Sequence, residues 1–78
     1  MNIFETVQSI IRDVIDDNSL VLSMDTTSDE IVGWDSLVQI NIVAIIESEF
    51  HIKFDLNEIT KLRSIRNIVD MIERKQKH

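Results

Sequence analysis

The chain has 78 residues, a formal net charge of -6, one glycine, and neither cysteine nor proline. This length admits a single domain, residues 1–78, with a small core. The missing cysteines exclude a disulfide framework and thiolate metal sites, and an acidic surface repels phosphate backbones, which argues against nucleic-acid binding.

Hydrophobic residues make up 44% of the chain and aromatic residues only 5%, so the core must be aliphatic. The scarcity of glycine and proline favours helices joined by polar links. Charge is uneven. Residues 1–35 hold eight acids and one base, residues 36–60 four acids and one base, and residues 61–78 two acids and six bases. Such a surface suits partners with basic docking faces. The basic end reads as a solvated helix terminus whose cations oppose the helix dipole.

In chain order, Ile3, Phe4, Val7, Ile10, Ile11, Val14 and Ile15 recur at steps of three and four, one face of an amphipathic helix. Asp16, Asp17, Asn18 and Ser19 end it. Segment 20–33 has no sustained period and is rich in turn formers. It reads as a long loop pinned to the core by Leu20, Leu22, Met24 and Ile31. A second helix starts at Asp35 or Ser36. Its wheel gathers Gln39, Ile42, Val43, Ile46 and Phe50 on an inner side, and Leu37, Ile40, Asn41, Ala44, Glu47 and Ser48 on an outer side. Residues 51–54 form a link, Asp55 caps a brief third helix through about Leu62, and Ser64 caps a fourth with the stripe Ile65, Ile68, Val69 and Ile72. The fold expected is all-α, a four-helix bundle of three longer helices and one short, with a long first loop. The longest apolar stretch, within residues 36–46, falls short of the ~20 residues a membrane span needs. The first residues lack the basic start and apolar core of a signal peptide, so the expected location is the cytoplasm.

The chemistry concentrates at "VGWDSLVQI", residues 32–40, which holds the only glycine, Gly33, and the only tryptophan, Trp34. Gly33 permits a sharp turn, and Asp35 is a good N-cap. Ser36 then occupies the first helical position, exposed beside unpaired N–H groups and a partial positive charge. That is a favourable place to esterify a phosphate.

These residues resemble the attachment motif of the acyl carrier proteins, in the phosphopantetheine-binding family: Gly33-x-Asp35-Ser36-Leu37. The resemblance continues through "QINIVAIIESEFHIKF", with Glu47-x-x-Phe50 ending the second helix, and through "DLNEITKLRSIRNIVDMI". It implies a 4'-phosphopantetheine arm, derived from coenzyme A, on Ser36, flanked by Asp35 and Leu37. It also implies a monomeric carrier that is not an enzyme. The reactive thiol belongs to the cofactor, and a phosphopantetheinyl transferase (holo-ACP synthase) activates the serine. Further partners are acyl-loading and acyl-transferring enzymes, in fatty-acid, polyketide or another specialised acyl transfer. Gln39, Ile42, Val43, Ile46, Ile59 and Ile68 are expected to border a pocket for the acyl chain. Leu37, Ile40, Asn41, Ala44 and Glu47 are expected to meet partners. Val38 and Asn41 stand where general fatty-acid carriers usually have acids, which favours a dedicated carrier. The alternatives are an aminoacyl or peptidyl carrier and, from another class, an unmodified acidic helical interaction module.

Other residues carry less. Trp34 reads as a packing anchor for the loop. Gln39 either finds a backbone partner or lines the pocket mouth and bonds the arm. His51 lies in a link and His78 at the terminus. A Ser36–Asp35–His51 triad is poor, since no nucleophile elbow surrounds it. Asp25, Asp29 and Glu30 lack the glycine and ligand series of a calcium loop, and no metal site is expected.

Overall fold

The computed structural model of the protein describes residues 2–76. His78 lies outside them. Among the described residues are four α-helices and no named strand: α1 (Ile3–Ile15), α2 (Ser36–Phe50), α3 (Leu56–Thr60) and α4 (Ile65–Gln76). A single 3-10 turn, Ser28–Glu30, interrupts the long connection between α1 and α2.

Each helix begins where a short polar side chain satisfies a first-turn N–H. Asn2 accepts from Glu5 N, Asp35 from Val38 N, Asp55 from Glu58 N and Ser64 from Asn67 N. The ends of α1 and α2 are closed by residues in the left-handed conformation, Asp16 (φ 63°) and His51 (φ 57°). Their N–H groups return to the carbonyls of Arg12 and Glu47. Beyond Asp16, Ser19 donates both its hydroxyl and its N–H to Asp17, which holds the Asp17 carboxyl below its usual range.

α1 packs on α2 and α4. The core is aliphatic apart from Phe54: Val7, Ile10 and Ile11 of α1, Ile42, Val43 and Ile46 of α2, and Ile65, Ile68, Val69 and Ile72 of α4. Leu22 and Ile31 of the loop are equally buried, with Leu20 and Met24 packed against the cluster. The loop is thus a wall of the core. Truncating one of the fully buried isoleucines to alanine costs ~2–5 kcal/mol, a large share of what so small a domain has.

Polar groups complete the loop's attachment. Arg12, the only base in the first 35 residues, donates from Nε to the Leu20 carbonyl at 2.7 Å, and Gln8 accepts from Leu22 N at 3.2 Å. Further on, the loop runs antiparallel to the start of α4. Ser28 N donates to the Arg63 carbonyl, Ile65 N to Thr26 and Arg66 N to Met24, each at 2.9 Å, around the bridge Thr27–Ser64. Asp25 adds an exposed ion pair with Arg66 at 2.8 Å.

One cation of the basic end is less solvated than the composition suggests. Lys75 is half-buried, pairs with Glu58 at 2.8 Å and lies 5.5 Å from the Phe54 ring centroid, tying α4 to α3. The bond from Lys75 holds the Glu58 carboxyl below its usual range, helped by the Asp55 N–H. A carboxyl lowered on folding stabilises above its unfolded pKa, and the gain is lost as pH falls through the lowered value.

His51 is exposed and left-handed, a conformation whose Cβ clash costs ~1–2 kcal/mol, against which glycine's extra unfolded-state entropy offsets ~0.4–1 kcal/mol. His51→Gly is therefore expected to stabilise by about 0.5–1 kcal/mol and raise Tm by a few degrees. Thermal denaturation followed by circular dichroism measures it, and a lowered Tm contradicts the strain.

Candidate functional site: the start of the second helix

The approach to α2 is built from the loop upward. Thr27 donates its N–H and hydroxyl to the Glu30 carboxylate, both at 3.1 Å, closing the 3-10 turn. Ile31 anchors in the core, and Trp34 N donates back to the Ile31 carbonyl at 3.3 Å. Between them Gly33 takes φ +92°, a conformation side chains rarely adopt, although the space around its Cα is open. The glycine is needed for the turn and not for a close approach. Asp35 then caps α2, its carboxylate accepting from Val38 N at 2.9 Å.

Ser36 is thereby the first residue of α2, with an exposed side chain. The first N–H groups of a helix have no partner within it and carry its positive end. A phosphodiester on the Ser36 hydroxyl would be stabilised there.

Beside the serine lies an open groove of ≈ 590 Å³ between the start of α2 and α3. Trp34, Asp35, Ser36, Gln39 and Ile40 line one side, Leu56, Ile59, Thr60, Leu62 and Arg63 the other, with Ser28 at an end. Gln39 sits in its floor. Its Oε1 accepts from Trp34 Nε1 at 2.7 Å, and its Nε2 donates to the Ile59 and Leu62 carbonyls at 3.2 and 3.3 Å. Trp34 is both a packing anchor and a hydrogen-bond donor.

The residues expected around an acyl chain divide into two groups. Gln39 and Ile59 line the groove. Ile42, Val43, Ile46 and Ile68 do not, because all four are packed core. Of the outward face, Leu37, Ile40, Asn41 and Ala44 are exposed. Glu47 is half-buried, and its Oε2 accepts from Phe54 N at 2.9 Å, so it holds the α2–α3 link where an open docking charge was expected. His51 closes the far end of α2, about 22 Å from Ser36 at the helical rise, and is no partner for the serine.

Six groove residues are not among those the sequence points to as the site: Ser28, Trp34, Leu56, Thr60, Leu62 and Arg63. Leu56 is 77% exposed, more than Leu37 at 67% or Ile40 at 60%. One signal for it was available, an isolated leucine directly after the Asp55 cap. Among the described residues no group of His, Asp and Glu is arranged to hold a metal, and no helix is long and apolar enough to cross a membrane.

A family model described as phosphopantetheine attachment site matches residues 5–72. The solution NMR structure of a holo acyl carrier protein from Geobacter metallireducens superposes with a TM-score of 0.86 at 35% identity, over 96% of this chain and 86% of that one. No curated protein sequence matches significantly. The chain therefore belongs to the phosphopantetheine-binding carrier proteins, which take a 4'-phosphopantetheine prosthetic group and are carriers, not catalysts. Its fold is that of an acyl carrier protein.

Proposed function

We propose that Ser36 is the residue that receives the arm, and that the protein carries an acyl group between the enzymes of a biosynthetic pathway in the cytoplasm. The observation that supports this best is the placement of Ser36: an exposed hydroxyl at the capped start of a 15-residue helix, opening on the groove between α2 and α3. When bound, the prosthetic group supplies a terminal thiol that holds the acyl group as a thioester. The chain's residues do the rest. Gly33 and Asp35 fix the direction of the hydroxyl, the first turn of α2 favours the phosphate's charge, and the groove gives the arm a surface to lie on.

The enzymes that load and unload the arm must reach Ser36, and the apolar surface beside it runs on from the serine through Leu37, Ile40 and Leu56. The outer face of α2 adds the uncharged Asn41, Ala44 and Ser48, because Glu47 is turned to the Phe54 N–H. Partners therefore grip mainly by apolar contact, and charge steers their approach.

Attachment is tested by intact mass after incubation with coenzyme A and a phosphopantetheinyl transferase. The wild-type protein gains the arm. Ser36→Ala gains nothing and keeps its helical content. Modification that persists in Ser36→Ala overturns the assignment.

Docking is tested by the rate of that same modification. Ile40→Asp is expected to lower kcat/KM about tenfold or more, since burying an unpaired charge costs well over 1 kcal/mol. Glu47→Gln should cost less, and the Ile40→Asp loss should depend only weakly on salt. An unchanged rate for Ile40→Asp together with a large loss for Glu47→Gln shows instead that charge governs recognition.

A further inference from the structure

Attachment at Ser36 makes no use of Gln39, yet this amide is the most fully engaged polar side chain at the site. The indole N–H of Trp34 can only donate, and the carbonyls of Ile59 and Leu62 can only accept. One orientation of the amide satisfies all three, at 2.7, 3.2 and 3.3 Å. A single side chain thus joins the loop before α2, α2 itself, α3 and the α3–α4 link. It lines the groove together with Leu62, and Ile42, Ile46, Leu62 and Ile68 of the core are each no more than 3% exposed.

We propose that Gln39 is the specificity-determining residue of this carrier, sealing the groove from the aliphatic core so that the protein takes short or polar acyl groups in preference to long alkyl chains. The proposal rests on the carrier reading with Ser36 as the attachment residue. A long alkyl chain gains by leaving water for the core. To pass between α2 and α3 here it must displace the amide, and a hydrocarbon returns no hydrogen bond to Trp34, Ile59 or Leu62. A short or polar acyl group meets no such demand. It stays in the groove, whose walls offer Ser28, Thr60 and Arg63 as well as Ile40, Leu56 and Ile59.

The test loads the full-length protein with acetyl or dodecanoyl arms, using the corresponding acyl-coenzyme A and a phosphopantetheinyl transferase, and follows thioester cleavage by neutral hydroxylamine. Two variants are compared with wild type. Gln39→Met keeps the length of the side chain and removes its polar atoms. Trp34→Phe keeps an aromatic ring and removes the N–H, and it carries the test if Gln39→Met does not fold. In the wild type the two thioesters are expected to cleave within about twofold of each other. In the variants the dodecanoyl thioester should be protected about fivefold or more, because the opened state is no longer opposed by the full set of hydrogen bonds. Tm gives a second readout: dodecanoylation should leave the wild type unchanged and raise the variants, as a ligand entering the core does. Loading without a mass gain overturns the attachment reading and the proposal with it. A mass gain followed by fivefold protection already in the wild type, or by variants indistinguishable from it, overturns the proposal alone.

Discussion

Three backbone hydrogen bonds, from Ser28 N, Ile65 N and Arg66 N, join the long loop to residues 63–66, where α4 begins. α1, α2 and α4 pack as a small aliphatic cluster, but a loop of some twenty residues without periodic pattern carries a large conformational entropy. This seam meets that cost with paired backbone groups. It holds Leu22 and Ile31 in the core on either side, and it brings residues 31–35 to the start of α2 from a fixed direction. Gly33 and Asp35 can orient Ser36 only because the chain before them is anchored.

The site follows from that anchoring. The seam and the Gln39 amide act on the same neighbourhood from two directions. The seam binds the loop to residues 63–66, and the amide binds Trp34 to the carbonyls of Ile59 and Leu62. The groove beside Ser36 lies between these two fixings, so its shape is set before any prosthetic group is present. This suits a carrier, whose own residues perform no bond chemistry and whose task is presentation: a hydroxyl in a defined place, an uncrowded surface for the arm, and an apolar rim for the enzymes that visit.

Much of this was legible in the sequence. α1 and α4 each have one apolar stripe, and their buried residues are those the spacing named. The caps Asp35, Asp55 and Ser64 stood where polar side chains precede helical runs. Motif and helix order together pointed to the carrier family. What the sequence did not carry is contact across distance. Gln39 bonds residues 20 and 23 positions away, which no local pattern encodes. α2 is apolar on both sides, so a wheel separates its faces without saying how tightly the inner one is closed, and Ile42, Val43, Ile46 and Ile68 are buried in the core and are not among the residues lining the groove beside Ser36. Glu47 fell on the outer face by periodicity, but the chain doubles back after His51 and puts Phe54 N within its reach. Lys75 likewise left the solvated end once α3 supplied Glu58.

A groove fixed from two directions is formed in advance, and attaching the arm should change little beyond it. Amide chemical shifts from proton–nitrogen NMR spectra, before and after the arm is attached, test this directly. The shifts should be confined to residues 33–40 and to the opposite wall of the groove, residues 56–63, with Val7, Ile10 and Ile11 of α1 and Ile68, Val69 and Ile72 of α4 unmoved. Shifts spread through α1 and α4 would contradict it, showing that the bundle rearranges to receive the group.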